Sequence, residues 1–163
     1  CRFSGCNLWS GREADRARAT CRFCDTDFVG TNGTDGGRYT DGSDLARAID
    51  AAWGGGPNLR LVVLTGGEPL LQVDAALVSA LRARGFEIAV ETNGTQPVPP
   101  GIDWLCVSPK AGADLLLTRG DEIKLVYPQQ GAEPEAHADQ QAVDQHVDGK
   151  DQTAITVIHG PAT

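Results

Sequence analysis

The chain has 163 residues with a formal net charge of −8 at pH 7, and 40% of its residues are hydrophobic. That length allows one domain with its own core, and the acidic balance argues against a nucleic-acid partner, because no basic surface is available to neutralise phosphates. No apolar run approaches the ~20 residues needed to span a bilayer and no signal peptide leads the chain, so we expect a cytoplasmic protein with no membrane partner.

The first quarter of the chain is predicted to be irregular. Residues 1–3, Cys-Arg-Phe, are typical of the end of a strand already under way, so we expect residues to be missing upstream; a processed N-terminus is the alternative. Residues 5–42 are rich in Gly, Thr, Asp and Arg. Within them, residues 11–19 favour a short surface helix, and residues 30–42, which contain five glycines, predict a loop.

Helices and strands alternate in the middle of the chain. Apolar residues at helical spacing predict a helix over residues 43–53, with Ser43 at its N-cap. Residues 61–64 are all apolar and predict a strand buried on both faces. Asp74 caps a second helix that ends at Gly85. Three further strands are predicted at residues 86–91, 102–107 and 122–127.

This order of elements predicts an α/β fold in which right-handed βαβ units build a parallel sheet. The pattern alone does not separate an open sheet from a barrel. Residues 129–153 are polar with few large apolar side chains and predict a poorly packed tail, with one last short strand at residues 154–158. The predicted domains are therefore a core at residues 1–128 and an atypical polar tail at residues 129–163.

Five cysteines are clustered near one end of the chain, and three of them, Cys6, Cys21 and Cys24, have the spacing C-x14-C-x2-C. In a chain without signs of export, clustered thiols indicate metal or redox chemistry. Three thiolates around a four-iron cluster leave one iron free to bind an amino acid. A structural zinc site with Cys1 as fourth thiolate is the alternative, and Cys106 is interpreted as a small core residue.

Polar residues follow three predicted strands at the point where each strand ends. These segments are Thr65–Pro69, Glu91–Gly94 and Ser108–Lys110. Two glycines after a buried strand let the backbone approach a ligand, although a tight turn would also use them. Because parallel strands place ligands at their carboxyl ends, three such segments in succession favour one shared site. Trp53 and Trp104 are interpreted as core residues.

Several independent motifs occur in one order along the chain: C-R-F-S-G-C-N-L-W, C-R-F-C-D-T-D-F, T-G-G-E-P, E-T-N-G and S-P-K. Together with the aromatic Phe23 before the last clustered cysteine, they resemble the radical S-adenosylmethionine (SAM) superfamily. The fourteen-residue gap between Cys6 and Cys21 is similar to that of the 7-carboxy-7-deazaguanine synthase family in particular. The resemblance covers about residues 1–131.

The resemblance implies a partial (β/α) barrel, present as a homodimer, that contains a [4Fe–4S] cluster and requires SAM and Mg²⁺. It implies a carbon–nitrogen lyase that converts 6-carboxy-5,6,7,8-tetrahydropterin to 7-carboxy-7-deazaguanine with loss of ammonia, in queuosine and 7-deazapurine biosynthesis. An external flavodoxin-like donor reduces the cluster, and SAM cleavage gives a 5′-deoxyadenosyl radical that removes a substrate hydrogen. The protein itself mainly binds, orients and excludes competing reactions.

The resemblance also implies roles for individual residues. The cluster ligands are Cys6, Cys21 and Cys24, and the Mg²⁺ ligand is Thr26. The residues of the cofactor site are Phe23, Cys24, Asp25, Gly67, Glu68, Glu91, Ser108, Pro109 and Lys110. The substrate is bound by Arg2 and Thr65. Elementary chemistry agrees, since the guanidinium of Arg2 suits a carboxylate and the hydroxyl of Thr26 is a hard neutral oxygen that suits Mg²⁺.

Two parts of the family pattern are missing from the chain. A first strand with a Gln-Gly loop is expected before residue 1, and an apolar strand, a Gln-Pro turn and a final helix are expected after residue 131. A shifted reading frame or an incomplete gene fragment would explain both, and part of the substrate pocket would then be missing. The alternatives to the lyase are another radical SAM enzyme, such as a glycyl-radical activase, and a non-enzymatic zinc-binding module.

Overall fold

The computed structural model describes residues 1–127, residue 129 and residues 154–159. Six parallel strands form one sheet in chain order, so each strand pairs with the next. The strands are β1 (Arg2–Phe3), β2 (Leu61–Gly66), β3 (Glu87–Thr92), β4 (Trp104–Val107), β5 (Glu122–Tyr127) and β6 (Ala154–His159). The predicted α/β fold with a parallel sheet is confirmed, and the consecutive order is the one that a partial barrel uses.

The long segment between β1 and the first helix is irregular, as predicted. A 3₁₀ helix at Glu13–Arg18 stands where a surface helix was expected. Residues 30–40 form a loop with neither helix nor strand. The segment is therefore shaped by local hydrogen bonds instead of a regular backbone pattern.

Helix α1 (Gly42–Ala52) packs against the second helix on one face of the sheet. Its N-cap is Asp41, whose carboxylate accepts a hydrogen bond from the backbone N–H of Asp44 at 2.9 Å. The predicted cap at Ser43 is wrong by two residues, because Asp41 has the extended backbone and the acceptor that a cap requires. Trp53 follows the helix and packs against the core, as predicted.

Helix α2 (Ala75–Arg82) begins where the sequence predicts. The carboxylate of Asp74 accepts from the N–H of Leu77 at 2.8 Å and caps the helix. Leu77 and Leu81 are buried against the sheet. Gly85 has a φ of 77°, a conformation that glycine adopts without strain, and it follows the end of the helix as expected.

The main core lies between these two helices and strands β1 to β3. Along β2, Val62 and Leu64 are buried, whereas Leu61 and Val63 are 48% and 36% exposed. The prediction that this strand is buried on both faces is therefore wrong for the described part of the chain. Successive side chains of a strand point to opposite faces, and the helices cover only one of them.

Strands β4 and β5 have a second, smaller core formed by Val107, Ile123 and Leu125, all fully buried. Cys106 is 3% exposed and is a small core residue, as expected. Trp104, at the start of β4, is 39% exposed, so its assignment to the core is wrong. Strand alternation places it on the face opposite Val107, towards the same side as the exposed residues of β2.

The predicted polar tail at residues 129–163 is described only at residue 129 and in β6. Residues 128, 130–153 and 160–163 lie outside the described residues. β6 pairs in parallel with the whole of β5, so the strand predicted at residues 154–158 is confirmed and extends to His159. The division into a core at residues 1–128 and a tail stays a prediction. In the described ranges no helix is both long enough and apolar enough to cross a membrane.

Candidate functional site

The candidate site lies at the carboxyl ends of the strands and on the irregular segment after β1. Because the strands are parallel, the polar segments that follow β2, β3 and β4 meet at one edge of the sheet. Arg2 pairs with Thr65 across β1 and β2. The N–H of Ser108 donates to the carbonyl of Thr92 at 2.8 Å. The three polar segments predicted from the sequence therefore come together in space.

Two of the three predicted cluster ligands, Cys21 and Cys24, interact directly. The hydrogen bond from Cys21 to the sulfur of Cys24 lowers the pKa of Cys24 to about 6. The same hydrogen bond, together with burial, raises the pKa of the Cys21 thiol. The backbone and hydroxyl of Thr26 also donate towards Cys24 and contribute to the low pKa of that thiol. The lowered pKa favours the thiolate of Cys24, the form that binds iron.

The third predicted ligand, Cys6, lies at the other end of the fourteen-residue insertion. The N–H of Leu8 donates to the sulfur of Cys6 at 3.4 Å. Cys6 lines an open cleft of about 420 Å³ together with residues of the insertion. The nearby Cys6 also adds to the raised pKa of the Cys21 thiol, after the contact with Cys24 and burial.

The three free cysteine thiols are a donor set that fits an iron–sulfur cluster. Among the described residues, no three His, Cys, Asp or Glu side chains are arranged to hold one metal ion. Cys1, the fourth thiolate of the zinc alternative, is exposed, and its backbone carbonyl accepts from the N–H of Thr65 at 3.0 Å.

The glycines after β2 allow two stretches of backbone to pack together. The N–H of Gly67 donates to the carbonyl of Phe3 at 3.0 Å, and the N–H of Glu68 donates to the carbonyl of Gly5 at 2.9 Å. A Cβ at Gly67 would lie 2.0 Å from the carbonyl oxygen of Gly5. These glycines therefore let the loop after β2 pack closely against the backbone that leads to Cys6. The sequence had suggested only a close approach to a ligand.

Glu68 is fully buried, with 0% of its surface exposed. One carboxylate oxygen accepts from the N–H of Leu70 at 3.0 Å and from the hydroxyl of Thr92 at 2.7 Å. The other accepts from the N–H of Asn93 at 2.7 Å. These three donors satisfy a buried charge, and Glu68 therefore ties the loop after β2 to the loop after β3 from beneath the site.

An amide network missed by the sequence reasoning links the cysteine segment to the loop after β3. The side-chain N–H of Asn93 donates to the amide oxygen of Asn7 at 3.1 Å, and Asn7 donates to the hydroxyl of Thr95 at 2.8 Å. The N–H of Thr95 closes the network by donating to Asn93 at 3.0 Å. Asn7 follows Cys6 directly, so the network helps to fix the position of the backbone beside that cysteine.

Glu91 contacts two donor side chains on the face of the sheet that the helices leave open. Thr65 donates to one carboxylate oxygen at 3.0 Å, and the ammonium of Lys124 lies 3.0 Å from the other. Burial acts to raise the pKa of Glu91, but Lys124, Thr65 and the charge of Arg2 outweigh it and hold the pKa below its usual value. Lys124 comes from β5, and sequence reasoning did not identify it because nothing in its local pattern marks it.

The segment after β4 connects this carboxylate to the cysteines. Ser108 is buried, and its hydroxyl donates to the carbonyl of Lys124 at 2.8 Å. The ammonium of Lys110 donates to the carbonyl and hydroxyl oxygens of Ser108 at 2.7 and 2.6 Å. Burial lowers the pKa of Lys110, while the nearby thiol of Cys21 acts in the opposite direction. Lys110 therefore lies between the strand ends and the cysteines.

The remaining predicted site residues are less closely grouped. Phe23 is half-buried, Asp25 is exposed, and Pro109 is buried. Arg2 is exposed and lines a larger cleft of about 1850 Å³, which the loop after the cysteines and α1 also line. None of the three cluster cysteines lines that larger cleft. The candidate site is therefore identified by its thiols and charged groups, because the larger cleft lies away from the three cysteines.

Comparison with known proteins agrees with this geometry. A family model of the radical SAM superfamily matches residues 15–119. The chain is 60% identical to a 7-carboxy-7-deazaguanine synthase of Caulobacter vibrioides over 97% of this chain and 77% of the relative. It is 68% identical to a protein of the same name from Bradyrhizobium diazoefficiens over 83% of this chain and 64% of the relative.

The structural comparison gives the same relationship. The crystal structure of QueE from Escherichia coli matches with a TM-score of 0.54 and 27% identity, over 77% of this chain and 59% of that one. This chain thus spans less than two thirds of the Bradyrhizobium and Escherichia proteins. The sequence and structural matches, found over the residues that build the site, show that the chain belongs to the 7-carboxy-7-deazaguanine synthase family of the radical SAM superfamily.

Proposed function

We propose that this protein is a carbon–nitrogen lyase that converts 6-carboxy-5,6,7,8-tetrahydropterin to 7-carboxy-7-deazaguanine with loss of ammonia, for queuosine and related 7-deazapurines. The observation that carries the proposal is the 60% identity with the Caulobacter relative across nearly the whole chain. Membership of the superfamily brings with it a [4Fe–4S] cluster and SAM, which together supply the radical that removes a substrate hydrogen. A glycyl-radical activase or a zinc module leaves this identity unexplained.

The cluster is proposed to bind Cys6, Cys21 and Cys24. The low pKa of Cys24 supports this assignment, because iron binds the thiolate form. SAM is proposed to lie between these cysteines and the strand ends, against Phe23, Asp25, Gly67 and the segment Ser108–Lys110. Glu68 supports this part of the site from beneath through its hydrogen bonds to the neighbouring loop.

The substrate is proposed to bind beside Glu91, on the face of the sheet that carries Arg2, Thr65 and Lys124. Two cations at this place, Arg2 and Lys124, suit the carboxylate of the substrate, and a guanidinium can bind a carboxylate bidentately. Glu91 stays ionised because its pKa is lowered, and it can therefore accept hydrogen bonds from amino groups of SAM or the substrate.

Mg²⁺ is proposed to bind the hydroxyl of Thr26. In the structure that hydroxyl donates towards Cys24, so the ion would lie close to the cluster and the substrate. We expect Thr26→Ala to raise the Mg²⁺ concentration needed for half-maximal turnover, whereas Thr26→Ser, which keeps the oxygen, stays close to the unchanged protein. Equal Mg²⁺ dependence of the two variants would remove Thr26 as a ligand.

Three further features complete the proposal. The electron comes from an external flavodoxin-like donor, the protein acts in the cytoplasm, and it forms a homodimer. Sedimentation equilibrium of the reconstituted protein tests the dimer directly. A monomer at all concentrations would contradict that part of the proposal and leave the chemistry untouched.

The activity is tested by anaerobic reconstitution with iron and sulfide, reduction, and incubation with SAM and 6-carboxytetrahydropterin, followed by mass spectrometry. We expect 7-carboxy-7-deazaguanine in amounts that depend on both reactants. Formation of 5′-deoxyadenosine without this product would support the radical SAM chemistry and contradict the proposed substrate for this chain. Absence of both from a protein that has bound iron would contradict the proposed function.

A further inference from the structure

Arg16, in the insertion between the first two cluster cysteines, contacts the loop that carries the other ligands. One terminal nitrogen of its guanidinium donates to the carbonyl of Arg22 at 2.7 Å and to the carbonyl of Cys24 at 3.0 Å. Its Nε donates to the carboxylate of Glu13 at 2.7 Å. The guanidinium carbon lies 4.1 Å from the centre of the Trp9 ring. One side chain thus joins four different parts of the segment.

These contacts span the turn between Cys21 and Cys24. The carbonyls that Arg16 binds belong to the second residue of the turn and to the last ligand itself. The other side of the turn is fixed by the carbonyl of Leu8, which accepts from the N–H groups of Thr20 and Cys21 at 3.1 and 3.5 Å. The turn is therefore held from both ends, although it contains neither helix nor strand.

The group at the centre of these contacts has to be a guanidinium. Its planar shape lets one face stack on Trp9 while the edge donates to carbonyls and to Glu13. Hydrogen bonds from a charged donor are stronger than those between neutral groups. Trp9 is itself buried, 7% exposed, and packs edge-to-face on Phe28 at 5.7 Å between ring centres. The Arg16 side chain is only 30% exposed. It packs against the ring of Trp9, which is itself buried.

We propose that Arg16 is a positioning residue for the iron–sulfur cluster, which fixes the Cys21–Cys24 turn and places a positive charge beside it. The proposal rests on the cluster assignment of the proposed function. It also gives the fourteen-residue insertion a role: the insertion carries the arginine that holds the turn. In the proposed arrangement Arg16 touches neither SAM nor substrate and acts only through the cluster ligands.

Rates of iron loss from the reconstituted holoprotein test the proposal. A ferrous chelator is added under anaerobic conditions, and iron release is followed for the unchanged protein, Arg16→Ala, Arg16→Lys and Arg18→Ala. Arg18 lies in the same 3₁₀ helix, has an 83% exposed side chain and pairs with Asp15 at 3.0 Å, so it is the matched control. We expect Arg16→Ala to release iron about tenfold faster, as loss of a group that orients metal ligands does.

The lysine variant separates the positioning role from folding. It keeps the charge and most of the bulk but loses the planar fork, so we expect an intermediate rate of release. Arg18→Ala should stay within about twofold of the unchanged protein, as surface substitutions do. Release from Arg16→Ala and Arg16→Lys at the rate of the Arg18→Ala control would overturn the proposal.

A second readout distinguishes positioning from general loosening. A positive charge near the cluster favours its reduced, more negative form. We therefore expect the midpoint potential of the cluster to fall in Arg16→Ala and to change less in Arg16→Lys. Faster iron loss at an unchanged potential in both variants would overturn the electrostatic part of the proposal.

The cluster assignment is checked separately with Cys24→Ala. If this variant retains the full iron content, the ligand set of the proposed function is wrong, whatever the Arg16 variants do. If Cys24→Ala loses the cluster while Arg16→Ala keeps it with unchanged release rate and potential, the ligand set stands and the role of Arg16 is wrong. The two failures are thus distinguishable.

Discussion

The cysteine segment, residues 4–40, and the helix-covered sheet are stabilised in different ways. The sheet is stabilised by apolar burial, with side chains such as Leu64 and Leu81 fully enclosed. The cysteine segment contains one 3₁₀ helix and is fixed by hydrogen bonds and by a single buried aromatic pair, Trp9 and Phe28. Burial determines whether the chain folds, and polar contacts determine where the cluster ligands lie.

The two regions are joined at a few defined points. Gly67 packs against the carbonyl of Gly5, and Asn93 donates to Asn7. Both contacts lie next to Cys6, so the strand ends position the backbone of the first proposed ligand. We therefore expect substitutions in the cysteine segment to change cluster content with little change in stability, and substitutions in the core to do the reverse.

The largest expected effect is the loss of the cluster from Cys24→Ala. Removing one of three thiolates leaves too few ligands, so we expect the reconstituted variant to be colourless and inactive while the apoprotein melts near the unchanged temperature. Cys106→Ala is the matched control, because Cys106 is buried in β4 and is no ligand. Iron and sulfide analysis with thermal unfolding of the apoproteins checks both variants. Loss of the cluster from both variants would contradict the expectation that substitutions in the core leave the cluster content unchanged.

The next effect in size is on stability and concerns the core. Leu64 is 0% exposed in β2, and we expect Leu64→Ala to lower the free energy of unfolding by about 2–5 kcal/mol, because it leaves a cavity. Leu116→Ala, at a residue that is 57% exposed, should change it by less than about 0.5 kcal/mol. Denaturant titration of the apoproteins measures both. Similar values for the two variants would contradict the placement of the core between the helices and β2.

Much of the sheet region could be predicted, because its helices and strands are specified by signals that are local in the sequence. Asp74 follows the rule for a helix cap, and the strand at residues 122–127 has the predicted bounds. The cap at Asp41 was missed because Ser43 carries the same kind of oxygen, and only the backbone conformation distinguishes them. The exposure of Trp104 was missed since the sequence does not show which face of β4 the helices cover.

The site was only partly predictable, for a different physical reason. Motifs revealed the cysteines and the polar strand ends, because those residues are adjacent in sequence. Lys124 meets Glu91 from two strands away, and Arg16 meets Cys24 by folding back across eight residues. Such partners are ordinary surface residues in the sequence, and only the folded chain shows what they contact.

Gly67→Ala tests the join between the two regions. Its Cβ would lie 2.0 Å from the Gly5 carbonyl oxygen, so the backbone leading to Cys6 must move, at a cost of about 1–3 kcal/mol. Gly54→Ala is the control, because nothing lies within 4 Å of a Cβ there. We expect lower iron content and lower stability only in Gly67→Ala. Normal iron content in a folded, destabilised Gly67→Ala would contradict this expectation. It would show that the contact between Gly67 and Gly5 contributes to stability but not to cluster binding.

For Lys124→Met we expect a small change in stability and a larger change in substrate binding. Exposed or half-exposed ion pairs contribute about 0–1 kcal/mol, and the side chains of Lys124 and Glu91 are 22% and 40% exposed, so the melting temperature should scarcely move. Binding should respond more, because one of two cations near Glu91 is lost and the pKa of Glu91 rises towards its usual value.

We expect the KM for the pterin substrate to increase about tenfold in Lys124→Met, the loss of one charged hydrogen bond, with partial recovery in Lys124→Arg. Steady-state kinetics at saturating SAM measures this. A large fall in melting temperature with an unchanged KM would assign the Glu91–Lys124 pair to the scaffold. In that case the open face of the sheet would contribute to stability, as the core does, and not to substrate binding. The cysteine segment alone would then determine the specificity of the site.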